Sequence, residues 1–90
     1  QLAEIVNAVG DKIDVVMDSG IQRGSHVLKA LSLGAKAVGG GRFYLYALAA
    51  AGQPGVERAL DLMRIEIERD MRLMGVKSLS ELSSNNLRFR

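Results

Sequence analysis

Two glycine-rich turns in the sequence carry the residue types that bind a phosphate group. Gly20 and Gly24 frame the first turn, with Arg23 inside it, and the second consists of the three glycines 39–41 followed by Arg42. Glycine lets backbone N–H groups approach a ligand closely, a helix N-terminus favours negative charge, and a guanidinium adds paired donors. The glycines could instead serve only to make tight turns between strands and helices. Because the two turns match, the sequence favours a phosphate site.

Composition excludes several other classes of function. The 90-residue chain has no cysteine, so disulfides, thiolate metal sites and a cysteine nucleophile are excluded, and redox chemistry would need a cofactor. Its formal net charge is only +2, and no basic stripe alternates with its two Phe and two Tyr, so we expect no nucleic-acid partner. With no apolar run near the roughly 20 residues of a membrane span and no signal-peptide pattern, a cytoplasmic protein is expected.

Apolar patterns predict alternating helices and strands. The first half of the chain predicts a helix over 2–9, a strand over 13–17, an apolar helix over 27–33 with an N-cap at Gly24-Ser25, and a strand at 37–38. The second half predicts helices over 43–51 and 56–74 separated by a break at 52–55, a capped turn at 78–82 and a polar tail over 83–90. This βαβα order predicts a parallel sheet with crossover helices.

The same patterns predict that the chain cannot complete its own fold. The strand over 13–17 is almost continuously apolar, which indicates cover on both faces, and two strands cannot complete such a sheet. A whole (β/α)8 barrel needs roughly 250 residues. The last helix also carries an apolar stripe that we expect to pack as core, formed by Val56, Ala59, Leu60, Met63, Ile67, Met71 and Met74. We therefore expect residues 1–90 to be part of a single domain, with the N-terminal remainder of the same domain as partner.

Nearly the whole chain resembles the FMN-dependent α-hydroxy acid dehydrogenases and oxidases. The resemblance rests on the segments 18–24 (DSGIQRG), 29–35 (KALSLGA), 41–42, 45–50, 55–57, 71–75 and 79–82. It implies an α/β fold that forms the C-terminal quarter of a (β/α)8 TIM barrel, with the last two βα units and the C-terminal helices. The short glycine signature is shared with other FMN barrels such as type 2 isopentenyl-diphosphate isomerase, but the later helix and tail look more like the hydroxy acid family.

The resemblance also implies FMN as cofactor, and it implies which residues hold it: Asp18, Ser19, Gly20, Gln22, Gly41 and Arg42. Asp18 would contact the ribityl chain. The backbone amides of Ser19 and Gly20 would face the phosphate, and Gly41 with Arg42 would complete the clamp.

Two features depart from the family pattern, Gln22 and the pair Gly39-Gly40, where the family usually has apolar residues. Gln22 stands where the family usually has arginine, so it can still donate a hydrogen bond but lacks charge assistance. Either Arg23 reorients to help, or the clamp depends more heavily on Arg42.

For the whole enzyme, the resemblance implies FMN-dependent oxidation of an L-2-hydroxy acid of the lactate, glycolate or mandelate type to the 2-oxo acid, by a homo-oligomer, expected to be a tetramer. The family's catalytic residues precede the segment present here, and we expect His26 to be a surface or capping histidine rather than a replacement. The alternatives are an FMN barrel that isomerises a diphosphate and a free-standing phosphate-binding interaction module.

Overall fold

The computed structural model describes residues 1–88 as an α/β arrangement of three helices and two short strands. The elements are α1 (Leu2–Val9), β1 (Val16–Asp18), α2 (Gly24–Ser32), β2 (Ala37–Gly39), α3 (Arg42–Met74) and two single 3-10 turns, Leu79–Glu81 and Ser84–Asn86. The order of elements is the predicted one. The last two residues of the predicted polar tail, Phe89 and Arg90, lie outside the described residues.

β1 and β2 form a parallel pair connected by α2, as the βαβ order predicts. Val16 pairs with Ala37, Met17 with Val38 and Asp18 with Gly39. Because parallel strands end at the same edge of a sheet, the loops after Asp18 and Gly39 start side by side. β1 begins later than predicted, since Ile13 precedes the strand and is 61% exposed.

The core of the described residues is built around α2. Its buried apolar side chains are Ile21, Val27, Leu28, Ala30 and Ala35. The predicted N-cap at Gly24-Ser25 is wrong by one or two residues, because Arg23 occupies the N-cap position and Gly24 is the first helical residue. A Cβ at Gly24 would lie 2.6 Å from the Cβ of Glu66 and 2.7 Å from the Ile67 nitrogen. Glycine is therefore needed where the start of α2 approaches α3.

α3 consists of two helical parts that meet at Gly52, which has φ 64° and ψ −147°. This agrees with the predicted break at 52–55. Gly75 ends the helix in the left-handed conformation, with φ 77°.

The apolar stripe of α3 is only partly covered. Met63 and Met71 are half-buried, as expected of core residues, but Leu60 is 55% exposed and Met74 is 37% exposed, contrary to the prediction. The reason is that α2 is the principal helix packed against α3 within residues 1–88, and one helix covers only part of such a stripe.

The strand faces are likewise open within residues 1–88. Val16, which the apolar pattern places under cover, is 62% exposed. None of the helices in this part of the chain combines the length and apolar character needed to cross a bilayer.

Candidate functional site

All six predicted cofactor-binding residues line one cleft at the carboxyl ends of β1 and β2. The cleft has a volume of about 290 Å³, and its lining residues are Asp18, Ser19, Gly20, Ile21, Gln22, Gly41, Arg42 and Phe43. One wall is the β1–α2 loop, which we define as residues 19–23, and the other is the start of α3. The expected convergence of the two glycine turns is therefore present.

The β1–α2 loop leaves the strand through two residues with left-handed backbone conformations. Ser19 has φ 85° and Gly20 has φ 75°. A left-handed serine is uncommon, and here the Asp18 carboxylate supports it by accepting a hydrogen bond from the Ser19 amide at 2.8 Å. This amide is directed at Asp18, so the predicted use of the Ser19 amide for a phosphate is not what the loop geometry favours. The Gly20 amide, by contrast, has no acceptor among residues 1–88.

The other wall exposes the positive end of a helix dipole. Gly41 is the N-cap of α3 and offers no side chain to cap it. A Cβ built on Gly41 meets nothing within 4 Å, and its φ of −88° is open to any residue, so the surrounding fold does not require glycine there. Arg42, the first residue of the helix, is exposed and lines the cleft. This wall can therefore approach an anionic ligand with amides and a guanidinium together.

Asp18 is placed by its strand partner. Gly39 pairs with Asp18 across the sheet, and a Cβ at Gly39 would lie 3.3 Å from the Asp18 Oδ1. The glycine thus leaves room for a carboxylate at the mouth of the cleft. A carboxylate there can accept hydrogen bonds from ligand hydroxyl groups.

Arg23 does not line the cleft, because it is paired with Glu66 of α3. Its Nε lies 3.0 Å from both carboxylate oxygens and its Nη2 lies 2.8 Å from Oε2. The Gly24 amide donates to the same carboxylate at 2.8 Å. Of the two alternatives left open by Gln22, the structure therefore favours the one in which Arg42 supplies the guanidinium.

These contacts shift both titrating groups. The hydrogen bonds from Arg23 and from the Gly24 amide lower the pKa of Glu66 to about 2. The same pairing raises the pKa of Arg23 above its ordinary value. The negative Glu66 carboxylate, which comes from α3, caps the N-terminus of α2. The N-terminus of α3 itself opens into the cleft.

Sequence reasoning missed Glu66. The signal that could have identified it is an acidic residue at helical spacing beside the apolar stripe of α3, between Met63 and Ile67. An acidic side chain at the border of a packed face usually has a partner, but the sequence alone does not say which.

His26 is a capping residue, as predicted. Its Nδ1 accepts a hydrogen bond from the Gln22 amide at 3.2 Å, which ties the β1–α2 loop to the first turn of α2. Within residues 1–88, no cluster of His, Asp and Glu side chains is suited to hold a metal ion.

The sequence and the fold both match one family. The model for the family "FMN-dependent dehydrogenase" matches residues 1–89. The chain belongs to this family. The cofactor of the family is FMN, in agreement with the resemblance noted from the sequence.

Individual relatives differ in their named activities. Over 77 residues, covering 86% of this chain and 13% of the relative, it is 53% identical to the L-lactate dehydrogenase (cytochrome) of Saccharomyces cerevisiae. Over 82 residues, covering 91% of this chain and 21% of the relative, it is 49% identical to the pre-mycofactocin synthase of Mycobacterium tuberculosis. The structure of a soluble mutant of (S)-mandelate dehydrogenase from Pseudomonas putida matches 99% of this chain and 25% of that one, with a TM-score of 0.93 and 42% identity. The chain thus spans a quarter or less of the length of these proteins.

Proposed function

We propose that residues 1–90 form the C-terminal quarter of a (β/α)8 barrel and supply the phosphate end of its FMN site. Three observations support the placement in a larger barrel: β1 and β2 are parallel and joined by α2, the chain spans only 13% to 25% of its relatives, and the apolar side chains of Ile13 and Val16 are exposed. Neighbouring barrel strands would cover those side chains.

The fit of an FMN phosphate to the cleft rests on the convergence of two walls. The Gly20 amide and the Gln22 side chain come from one wall, and the N-terminus of α3 with Arg42 comes from the other. Gly41 leaves the second wall open to close approach although the fold itself does not need glycine there. This convergence is the single observation that carries the proposal, because each wall alone would be an ordinary turn.

The residues of this chain would bind and orient the cofactor. Arg42 would neutralise the phosphate, Gln22 would add an uncharged donor, and the Asp18 carboxylate would accept a hydrogen bond from a ribityl hydroxyl group. When bound, FMN supplies the acceptor for the hydride equivalent that leaves the substrate carbon. His26 donates nothing to the cleft and caps the loop, so we assign the proton transfer from substrate to residues elsewhere in the whole protein.

For the whole protein we propose oxidation of an L-2-hydroxy acid of the lactate, glycolate or mandelate type to the 2-oxo acid. The named activities of the yeast lactate dehydrogenase and the Pseudomonas putida mandelate dehydrogenase support this choice. A second candidate is a flavin-dependent reaction of the pre-mycofactocin synthase type, because identity to that relative is 49%, close to the 53% for the lactate dehydrogenase. The tetramer and the cytoplasmic location stay predictions of the sequence.

The experiment is anaerobic titration of the purified whole protein with candidate substrates while the visible absorbance of the flavin is followed. We expect FMN to be released on denaturation, and L-lactate, glycolate or L-mandelate to bleach the flavin absorbance. A protein without FMN, or one that isomerises isopentenyl diphosphate and is not bleached by any 2-hydroxy acid, would refute the proposal. A bound FMN that no 2-hydroxy acid bleaches, in a protein without isomerase activity, would favour the second candidate.

A further inference from the structure

The β1–α2 loop is anchored at its far end by a residue of another element. Glu66, on the part of α3 after Gly52, receives hydrogen bonds from the Arg23 side chain and from the Gly24 amide. Arg23 ends the loop and Gly24 begins α2. One carboxylate therefore fixes the junction between the loop and the helix that follows it.

This anchor differs from an ordinary surface ion pair. The Arg23 side chain is 62% exposed, but the Glu66 side chain is only 20% exposed, and Glu66 accepts from a bidentate guanidinium as well as from a backbone amide. The Arg64–Glu68 pair on the same helix has side chains that are 80% and 51% exposed and a single contact of 3.1 Å. Exposed pairs of the second kind contribute little, whereas a carboxylate held by several charge-assisted donors fixes a geometry.

Glu66 lies directly behind the wall of the cleft. It lines a second, smaller cavity of about 190 Å³, and Gln22 and Phe43 line both that cavity and the cleft. The two walls meet at these residues. A displacement of Glu66 would therefore move the loop that carries Gln22 relative to the helix start that carries Arg42.

The charge of Glu66 also decides which helix end remains available to an anion. Its carboxylate occupies the N-terminus of α2 and holds Arg23 out of the cleft, while no side chain caps α3. An anion entering the cleft thus meets the N-terminus of α3 and Arg42. The two glycine turns look alike in sequence, but Glu66 leaves only the second turn with a helix N-terminus that is open to an anion.

We propose that Glu66 is a positioning residue of the FMN site: by holding Arg23 and the Gly24 amide, it fixes the β1–α2 loop against α3 in the geometry that receives the phosphate. This inference rests on the proposed function. It adds a residue that does not line the cleft.

The test is the affinity of the whole apoprotein for FMN and for riboflavin, which lacks the phosphate. The variant is Arg23→Ala with Glu66→Ala, which removes the anchor without changing the net charge. Its matched control is Arg64→Ala with Glu68→Ala, which removes an ion pair of the same helix that does not touch the loop. We expect FMN affinity to fall roughly two- to thirtyfold in the first variant, the range for residues that couple to a site without contacting its ligand. Riboflavin affinity should be unchanged, and the control should match the parent protein for both ligands.

Each result decides one of the two proposals. If the parent binds FMN no more tightly than riboflavin, the phosphate site itself is wrong and the role of Glu66 with it. If the parent discriminates and the Arg23/Glu66 variant discriminates equally, only the role of Glu66 is overturned. An equal loss for both flavins would also overturn it, because a merely structural residue would act in that way. If the alanine pair does not fold, Arg23→Met with Glu66→Met keeps the side-chain bulk but removes the guanidinium donors and the carboxylate acceptor, and retention of full discrimination in that pair would be equally decisive against the inference.

Discussion

Arg42→Ala in the whole protein should weaken FMN binding without slowing the chemical step. Arg42 begins α3 and is the guanidinium that lines the cleft, since Arg23 is held by Glu66. The substitution removes the charge and leaves the helix start in place, because alanine is a good helix former. The loss should therefore be confined to cofactor binding.

The size of the effect follows from the exposure of the side chain. A hydrogen bond to a charged group contributes about 1.5–3 kcal/mol, and Arg42 is exposed, so the lower end of that range applies. About 1.5 kcal/mol corresponds to a Kd about tenfold higher. Because solvent-exposed charges are screened over about 10 Å at 0.1 M salt, the FMN affinity of the parent should fall with ionic strength more steeply than that of the variant.

Titration of the apoprotein with FMN at several salt concentrations measures both quantities, and stopped-flow flavin reduction at saturating FMN measures the chemical step. Arg58→Ala is the matched control, since Arg58 is an exposed arginine of α3 that does not line the cleft. Equal Kd values and salt slopes for the parent and Arg42→Ala would refute the role of Arg42. So would a slower flavin reduction with unchanged FMN affinity.

Three further predictions concern the surroundings of the cleft. Gln22→Arg should tighten FMN binding about fivefold in the same titration, because about 1 kcal/mol separates a charge-assisted from a neutral hydrogen bond; unchanged affinity would mean that residue 22 does not reach the phosphate. Gly24→Ala should lower the free energy of unfolding by about 1–3 kcal/mol in denaturant titrations, because its Cβ would lie 2.6 Å from that of Glu66. Gly41→Ala is the control, since a Cβ at Gly41 meets open space and should change the free energy of unfolding little. Similar losses in both variants would contradict the packing argument. Glu66→Gln should lower the melting temperature at neutral pH. The difference in melting temperature from the parent should shrink as the pH falls from 4.5 towards 2, because the carboxylate has a pKa of about 2 in the fold against an ordinary 4.5. A difference that is constant or grows in acid would contradict the lowered pKa of Glu66.

Local signals in the sequence predicted the C-terminal end of α3 and the meeting of the two glycine turns. Gly75 has φ 77° and ends α3 where the apolar stripe stops, because only glycine adopts that conformation without strain. The meeting of the loops after Asp18 and Gly39 followed from the parallel order of strands, which places their carboxyl ends at one edge.

The features that could not be predicted depend on tertiary contacts. Glu66 is 42 residues from Gly24 in sequence, and nothing near either residue specifies the pairing. The left-handed backbone of Ser19 is supported by the hydrogen bond from its amide to the Asp18 carboxylate. It could not be predicted from the residue type, because serine favours other backbone conformations. The exposure of Leu60 depends on what packs against α3, which a periodic pattern does not reveal.

A crystal structure of the whole protein with FMN tests the central claim most directly. We predict that phosphate oxygens lie within hydrogen-bond distance of the Gly20 amide and the Arg42 guanidinium, with Arg23 still paired to Glu66. A phosphate bound elsewhere, with Gly20 and Arg42 facing solvent, would contradict the account.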